Sequence, residues 1–238
     1  MIKISNNLWV FDGKSVTFMM LPFSTRMTVV KLADSTLWVH SPIELTEALR
    51  SQVDSLGKVQ YLIAPNHLHH LFLKEWQDAY PAAQTYGTRE VMKKRNDLRF
   101  TSELTSEIPY PWEAEIDMLL FTGSKLMEEA VFFHRESKSL ILTDLIENFP
   151  PADFTQIQRL FAKFTGILSP NGKTPIDWRM SFMFHKAEAK QHYLQMIKWE
   201  PQRIIMAHGE IVDSDTLAFL RRSFAWLKLS HSNRHSTM

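Results

Sequence analysis

Three of the ten histidines, His67, His69 and His70, stand within four positions of one another in the stretch YLIAPNHLHHL, residues 61–71. They follow an apolar run that reads as a buried strand closed by Pro65. Imidazoles so placed either bind a metal or cap and pack a turn. Two further apolar runs end in the same way: SLILTD delivers Asp144, and RIIMAHG delivers His208 beside Gly209. Three strands thus each present an imidazole or a carboxylate at the C-terminal end, the edge at which layered α/β proteins assemble ligand sites. A metal needs three or more nitrogen or oxygen donors converging from separate rigid elements. The imidazoles of 67–70, the Asp144 carboxylate and the His208 ring could supply them. Each also has an ordinary structural use. Asn66 can cap a helix without any metal, Asp144 can cap the turn that follows it, and strand-ending His-Gly pairs occur in plain turns.

Other polar residues carry less. Arg26 in FSTRMT and Arg179 in IDWRMS sit among apolar residues, where a guanidinium meets an internal carboxylate or an anionic substrate group. His134 precedes the polar turn ESKS, His192 lies in a helical pattern, and His231 and His235 belong to the tail. None of these, nor His185, reads as a ligand. The run REVMKKR reads as a solvated helix face, and the aromatic and methionine residues of DWRMSFMFH as core, lid or the wall of an apolar pocket.

The composition bounds the chemistry. The chain has 238 residues, is 45% hydrophobic and 22% charged, and carries a net charge of +1. It can therefore build a sizeable core, and it has no global field to recruit nucleic acid or a membrane. It contains no cysteine, which excludes disulfides, a thiol nucleophile and thiolate-bound zinc or iron–sulfur clusters. The start, MIKISNNLWVFDG, lacks a signal-peptide pattern, and no run approaches the ~20 apolar residues of a membrane span. A cytoplasmic location and a small-molecule substrate are the expectations.

The elements that must position the candidate residues follow from periodicity. NLWVFDG reads as a strand ending on an Asp-Gly turn. VTFMMLPF, RMTVVKLA and TLWVHSP read as further strands, with a hairpin turn at Ala33–Ser35. SPIELTEALRSQVDSLG has helical spacing and Gly57 as its stop. After the VQYLIAP strand, HHLFLKEWQDAYP reads as a helix, AQTYG as a strand and TREVMKKRNDL as a short helix. IDMLLFTG, AVFFHR and SLILTD are β-patterned. DFTQIQRLFAKFTGIL, KAEAKQHYLQMIKW and SDTLAFLRRSFAWLKL are helical, the last with Ser214 as N-cap, and the tail from residue 230 should fray. KTPIDWRMSFMFH is undetermined. Hairpins interleaved with crossovers favour two sheets between helices over a doubly wound sheet.

These landmarks, in this order, resemble the metallo-β-lactamase fold superfamily. In that family a strand precedes a His-x-His-x-Asp-His loop, and a mid-chain His, a strand-ending Asp and a late His follow. LWVHSPI takes the place of the early strand and turn, with His40 where an Asp is usual. IAPNHLHH takes the metal loop, LILTDLI the bridging Asp and IIMAHGE the late His. The resemblance covers roughly residues 7 to 210. Phrases such as LPFSTRMTVV, EEAVFFHR and LTDLIENF look like an uncharacterised bacterial branch, known only as a domain of unknown function. No register keeps the whole loop motif. Aligned on its end, Pro65 falls on the first His, His67 on the second and His69 on the Asp. The mid-chain His has no counterpart in TGSKLMEEA, which leaves Glu128 or Glu129 as a substitute oxygen ligand.

The resemblance implies one domain, an α/β four-layer αββα sandwich over residues 1–238, with its halves meeting near 104–115. It implies a metal-dependent hydrolase with a reduced site. One zinc, iron or manganese ion would be held by His67, His69 or His70 with His208, and Asp144 would bridge or ligate. Hydroxide formed on that ion would attack an ester, thioester or phosphoester, with Asp144 and His69 as the catalytic pair. The alternative is a member that has lost its metal and binds a small molecule or a partner, with Arg26 and Arg179 as anion contacts.

Overall fold

In a computed structural model, residues 1–18 and 21–227 are described. The tail, with His231 and His235, lies outside the described residues. Seven strands form one sheet in sequence order: β1 (Ile2–Ser5), β2 (Leu8–Phe18), β3 (Leu21–Lys31), β4 (Thr36–His40), β5 (Lys58–Ala64), β6 (Gln84–Gly87) and β7 (Ser102–Glu103). The first four are antiparallel neighbours, and β4 to β7 run parallel. A second sheet has the order β11 (Arg203–Ile205), β10 (Ser139–Ile141), β9 (Glu129–His134), β8 (Ile116–Phe121), with β10 and β11 parallel. The helices are α1 (Glu47–Leu56), α2 (Leu73–Ala79), α3 (Arg89–Lys94), α4 (Gln156–Thr165), α5 (Ile176–Ser181), α6 (Lys186–Lys198) and α7 (Thr216–Ser223).

Strand alternation explains the layering. In β2, Leu8 and Val10 enter a core between the sheets, and Trp9 and Phe11 face the helices. Trp38, Tyr61 and Ile63 likewise point inward to meet Trp112, Phe132, Ile141 and Ile205 of the second half. On the outer face of the first sheet, Leu37, Val39 and Leu62 pack with Val53, Trp76 and Val91 of α1, α2 and α3. Behind the second sheet, Val131, Leu140 and Ile204 pack with Trp178, Tyr193 and Phe219 of α5, α6 and α7. Three apolar layers between four structural ones make the αββα sandwich. Each of these buried side chains contributes ~1.5–3 kcal/mol of transfer free energy. The segment from 104 to 115 connects β7 to β8 and buries Tyr110 and Trp112 between the sheets. No helix among the described residues is long and apolar enough to cross a membrane.

Three local expectations are corrected. β2 does not turn at Asp12-Gly13 but runs on to Phe18 with a register shift between Gly13 and Val16. Asp12 lies opposite Arg26 on β3, and this cross-strand ion pair, 2.7 Å long, holds the pair of strands together through the turn-prone dipeptide. Ser214 does not cap α7. That position is taken by Asp215 in a left-handed conformation, with no side-chain cap bond. α2 begins only at Leu73, so residues 66–72 are turns rather than the first turns of a helix. The undetermined stretch contains α5.

His40 closes β4 on the inter-sheet face. Its ring stacks on Trp38 at 5.5 Å and meets the edge of Phe132, and its Nε2 has no hydrogen-bond partner. Burial, with a smaller contribution from His69, depresses its pKa to about 3. The unfolded chain takes up this proton near pH 6.5 and the folded chain does not, so His40 leaves stability intact above 6.5 and costs stability as the pH falls from there towards 3. At pH 5 the loss is about 2 kcal/mol. His40→Phe should flatten this part of the pH–stability curve measured by urea unfolding; a curve parallel to that of the wild type would show that His40 is not the cause.

Candidate metal centre

Two pairs of parallel strands, one pair from each sheet, end at one rim. β4 runs into Ser41, β5 into Asn66 and its turn, β10 into Asp144 and β11 into His208. There the structure brings together His69, Asp144 and His208, whose ligand-type atoms all lie within 4.8 Å of one another. His69 Nε2 is 3.1 Å from Asp144 Oδ2, and His208 Nε2 is 3.0 Å from Oδ1 of the same carboxylate. Asp144 and His208 are buried, and His69 nearly so.

Each donor is held from behind. His208 Nδ1 lies 2.5 Å from the Ser24 carbonyl oxygen. A carbonyl only accepts, so Nδ1 carries the hydrogen there, and Nε2 is the ring nitrogen turned to Asp144. His69 Nδ1 is 2.6 Å from Ser41 Oγ. Ser41 has a positive φ of 52° and follows directly on β4, so strand geometry aims its hydroxyl at the imidazole. Asn66 works twice. Its Oδ1 accepts from the backbone of Leu68 and His69, shaping the turn that carries His69, and its Nδ2 donates to Asp144 Oδ2 at 2.7 Å. Arg26 fixes the His208 loop by donating to the carbonyls of Met206 and Gly209 while it pairs with Asp12. Gly209 must be glycine, because at its φ of +96° a Cβ would sit 2.1 Å from Asn148 O.

Glu129, at the start of β9, underlies the whole arrangement. It accepts five hydrogen bonds, from the backbone N–H groups of Thr143, Asp144 and Leu145, the Thr143 hydroxyl and the Asn66 amide. Burial, then the Asp144 charge, push its pKa up to about 7 against those donors. Burial would also raise Asp144, but the two imidazoles outweigh it and hold this carboxyl well below its ordinary range. Asp144 is therefore the member of the pair that keeps its charge. Glu147, buried in the same wall, is raised well above the ordinary range, first by burial and then by Asp144.

The remaining candidates lie elsewhere. His67 pairs with Glu90 at 2.7 Å, and His70 faces the Arg95 guanidinium at 3.1 Å with its pKa lowered to about 4, chiefly by burial. These two rings, expected in the ligand set, point to α3 and its C-terminal end, because the turn at 66–70 sends successive side chains apart. Glu129 is a buttress rather than a substitute ligand, and Glu128 lies near Glu90. Arg179 donates to the Thr165 carbonyl. His134 and His192 pair with Ser137 and Thr122. Sequence reasoning missed the supporting roles of Ser41, Asn66 and Glu129. A glutamate opening an otherwise apolar strand in EEAVFFH was a usable signal; nothing marked Ser41.

The donor set fits a metal. Two imidazole Nε2 atoms and one carboxylate converge in a buried rim, and His208 Nε2 faces the carboxylate across 3.0 Å, a contact that a proton or a cation must bridge. His69, Asp144 and His208 could hold such an ion.

The fold and this cluster define a protein of the metallo-β-lactamase fold. Solved structures similar to it include the DIM-1 metallo-β-lactamase exposed to ceftazidime, 17% identical over 95% of this chain and 94% of that one, with a TM-score of 0.65. A metallo-β-lactamase from Pontibacter korlensis is 12% identical over 95% and 97%, with a TM-score of 0.63. FIM-1 from Pseudomonas aeruginosa, in its mono-zinc form, is 10% identical over 95% and 93%, with a TM-score of 0.61. No curated protein matches. The chain belongs to the family described as a domain of unknown function, DUF4336, which matches residues 5–165.

Proposed function

We propose that the protein is a metal-dependent hydrolase that holds one divalent cation with His69, Asp144 and His208 and cleaves an ester, thioester or phosphoester. The observation that carries this reading is the convergence of two imidazole nitrogens and a buried carboxylate from separate strands within 4.8 Å, with His208 Nδ1 committed to the Ser24 carbonyl so that Nε2 is the nitrogen turned to the site. A cation bound there would polarise the scissile bond and acidify water near neutral pH. The chain's own residues do the rest. Ser24 and Ser41 orient the two rings, Asn66 and the Glu129 lattice fix Asp144, and the apolar walls around the rim exclude bulk water from the reacting group.

A second reading has its own support. With both imidazoles protonated, the His–Asp–His chain is satisfied by hydrogen bonds alone, and the rim becomes a metal-free binding site. Elemental analysis of untagged protein separates the two. Near-stoichiometric zinc, iron or manganese is expected, with a melting temperature that falls by several degrees under chelation and recovers on adding the ion, since occupancy at about a thousandfold above Kd is worth ~4 kcal/mol. Metal-free protein whose melting ignores both treatments would leave only the binding reading.

A further inference from the structure

A cavity of about 670 Å³ opens over the His69, Asp144 and His208 side chains. Ser41, His67, Lys94, Glu147 and Asp177 also line it. Most of the remaining wall is apolar, with Phe23, Ile43, Leu68, Met127, Ile167 and Trp178 among its residues. The mouth is apolar as well: Leu71, Leu126 and Phe161 line it and are each about half exposed. Phe161 also belongs to a stripe on α4. Ile157, Leu160, Phe161 and Phe164 recur at i, i+3, i+4 and i+7, the spacing of a core-facing stripe, yet all four are exposed, Ile157 to 84%. From Phe161, which lines the cavity, back to Ile157 the stripe carries the apolar track about 6 Å further along the helix. A compact ligand would fill the cavity and leave that track unused. An extended hydrocarbon covers both.

We propose that the cavity binds the hydrocarbon chain of an amphiphilic carboxylic ester or thioester, with the reacting carbonyl at the His–Asp–His floor and the distal chain leaving past Leu71, Leu126 and Phe161. The carbonyl's fate rests on the hydrolase reading; the chain site does not. Neutral linear 1-alkanols therefore make the probe, because they report the walls without reacting and without meeting Asp144 as a like charge. Calorimetric titration of the full chain with alcohols of about four to about ten carbons should show affinity rising about fourfold per added methylene until the cavity is filled. Phe161→Asp and Leu126→Asp change exposed positions, so the fold should persist. Each should cost at least about tenfold for the long alcohols and little for the short ones. No binding, a flat chain-length series, or a gradient unchanged in both variants would overturn the proposal. Because no metal enters the titration, a metal-free protein with a steep chain-length series would sink the hydrolase reading alone, and a metal-loaded protein with a flat series would sink only the acyl site.

Discussion

The double variant His69→Ala with Asp144→Ala is expected to bind no zinc above background, while its circular dichroism stays that of a folded α/β protein. The two changes remove two of three converging donors, and no fourth imidazole or carboxylate among the described residues belongs to the cluster. The single change Asp144→Ala already strips the acceptor shared by both rings and the Asn66 amide. Ser41→Ala should behave differently. It keeps all three donors and loses only the hydroxyl beside His69 Nδ1, so stoichiometry should survive with affinity lower by about 10–100-fold, the usual cost of an outer partner. Competition against a chromophoric chelator measures both. Stoichiometric metal in the double variant would place the ion elsewhere in the chain and end the assignment.

Glu129→Ala is expected to be the most destabilising single substitution of a polar residue in the protein. The wild-type carboxylate accepts from three consecutive backbone N–H groups, a hydroxyl and an amide, all in a fully buried setting. Truncation strands five donors together, and each buried unsatisfied group costs ~1–3 kcal/mol. Their sum reaches the whole stability of an ordinary domain, about 5–15 kcal/mol. The purified variant should be unfolded or lose most of its denaturation midpoint in urea. Glu129→Gln keeps one acceptor oxygen but turns an amide hydrogen towards donors, so it should fall between the two. A Glu129→Ala protein within about 1 kcal/mol of wild type would mean that water or a shifted loop satisfies those groups, and that Asp144 is not held as described.

Some of this was legible in the chain. The strand runs YLIA, LILT and RIIMA mark their own ends because an apolar run must stop where a polar side chain reaches the rim, and Asp144 and His208 stand at two of those ends. The order of hairpins, crossovers and late helices fixed the two-sheet sandwich, since period-two and period-3.6 patterns can be read locally. The choice among His67, His69 and His70 could not be read. All three lie in turns, where no repeat dictates which way a side chain points, and the direction of each was set by partners 23 to 75 residues away: Glu90, Asp144 and Arg95. The Asp-Gly pair at 12–13 misled for the same reason, because its turn preference lost to Arg26 across the sheet.

By itself, then, the sequence determined the layers of the sandwich, the absence of thiol chemistry, and the two rim residues Asp144 and His208. Only the tertiary structure decided that His69 is their third partner, that Ser41, Asn66 and Glu129 hold them, and that an apolar cavity stands above. Burial patterns are encoded residue by residue along a strand. A site is made of distances between strands, and those exist only once the two sheets have packed.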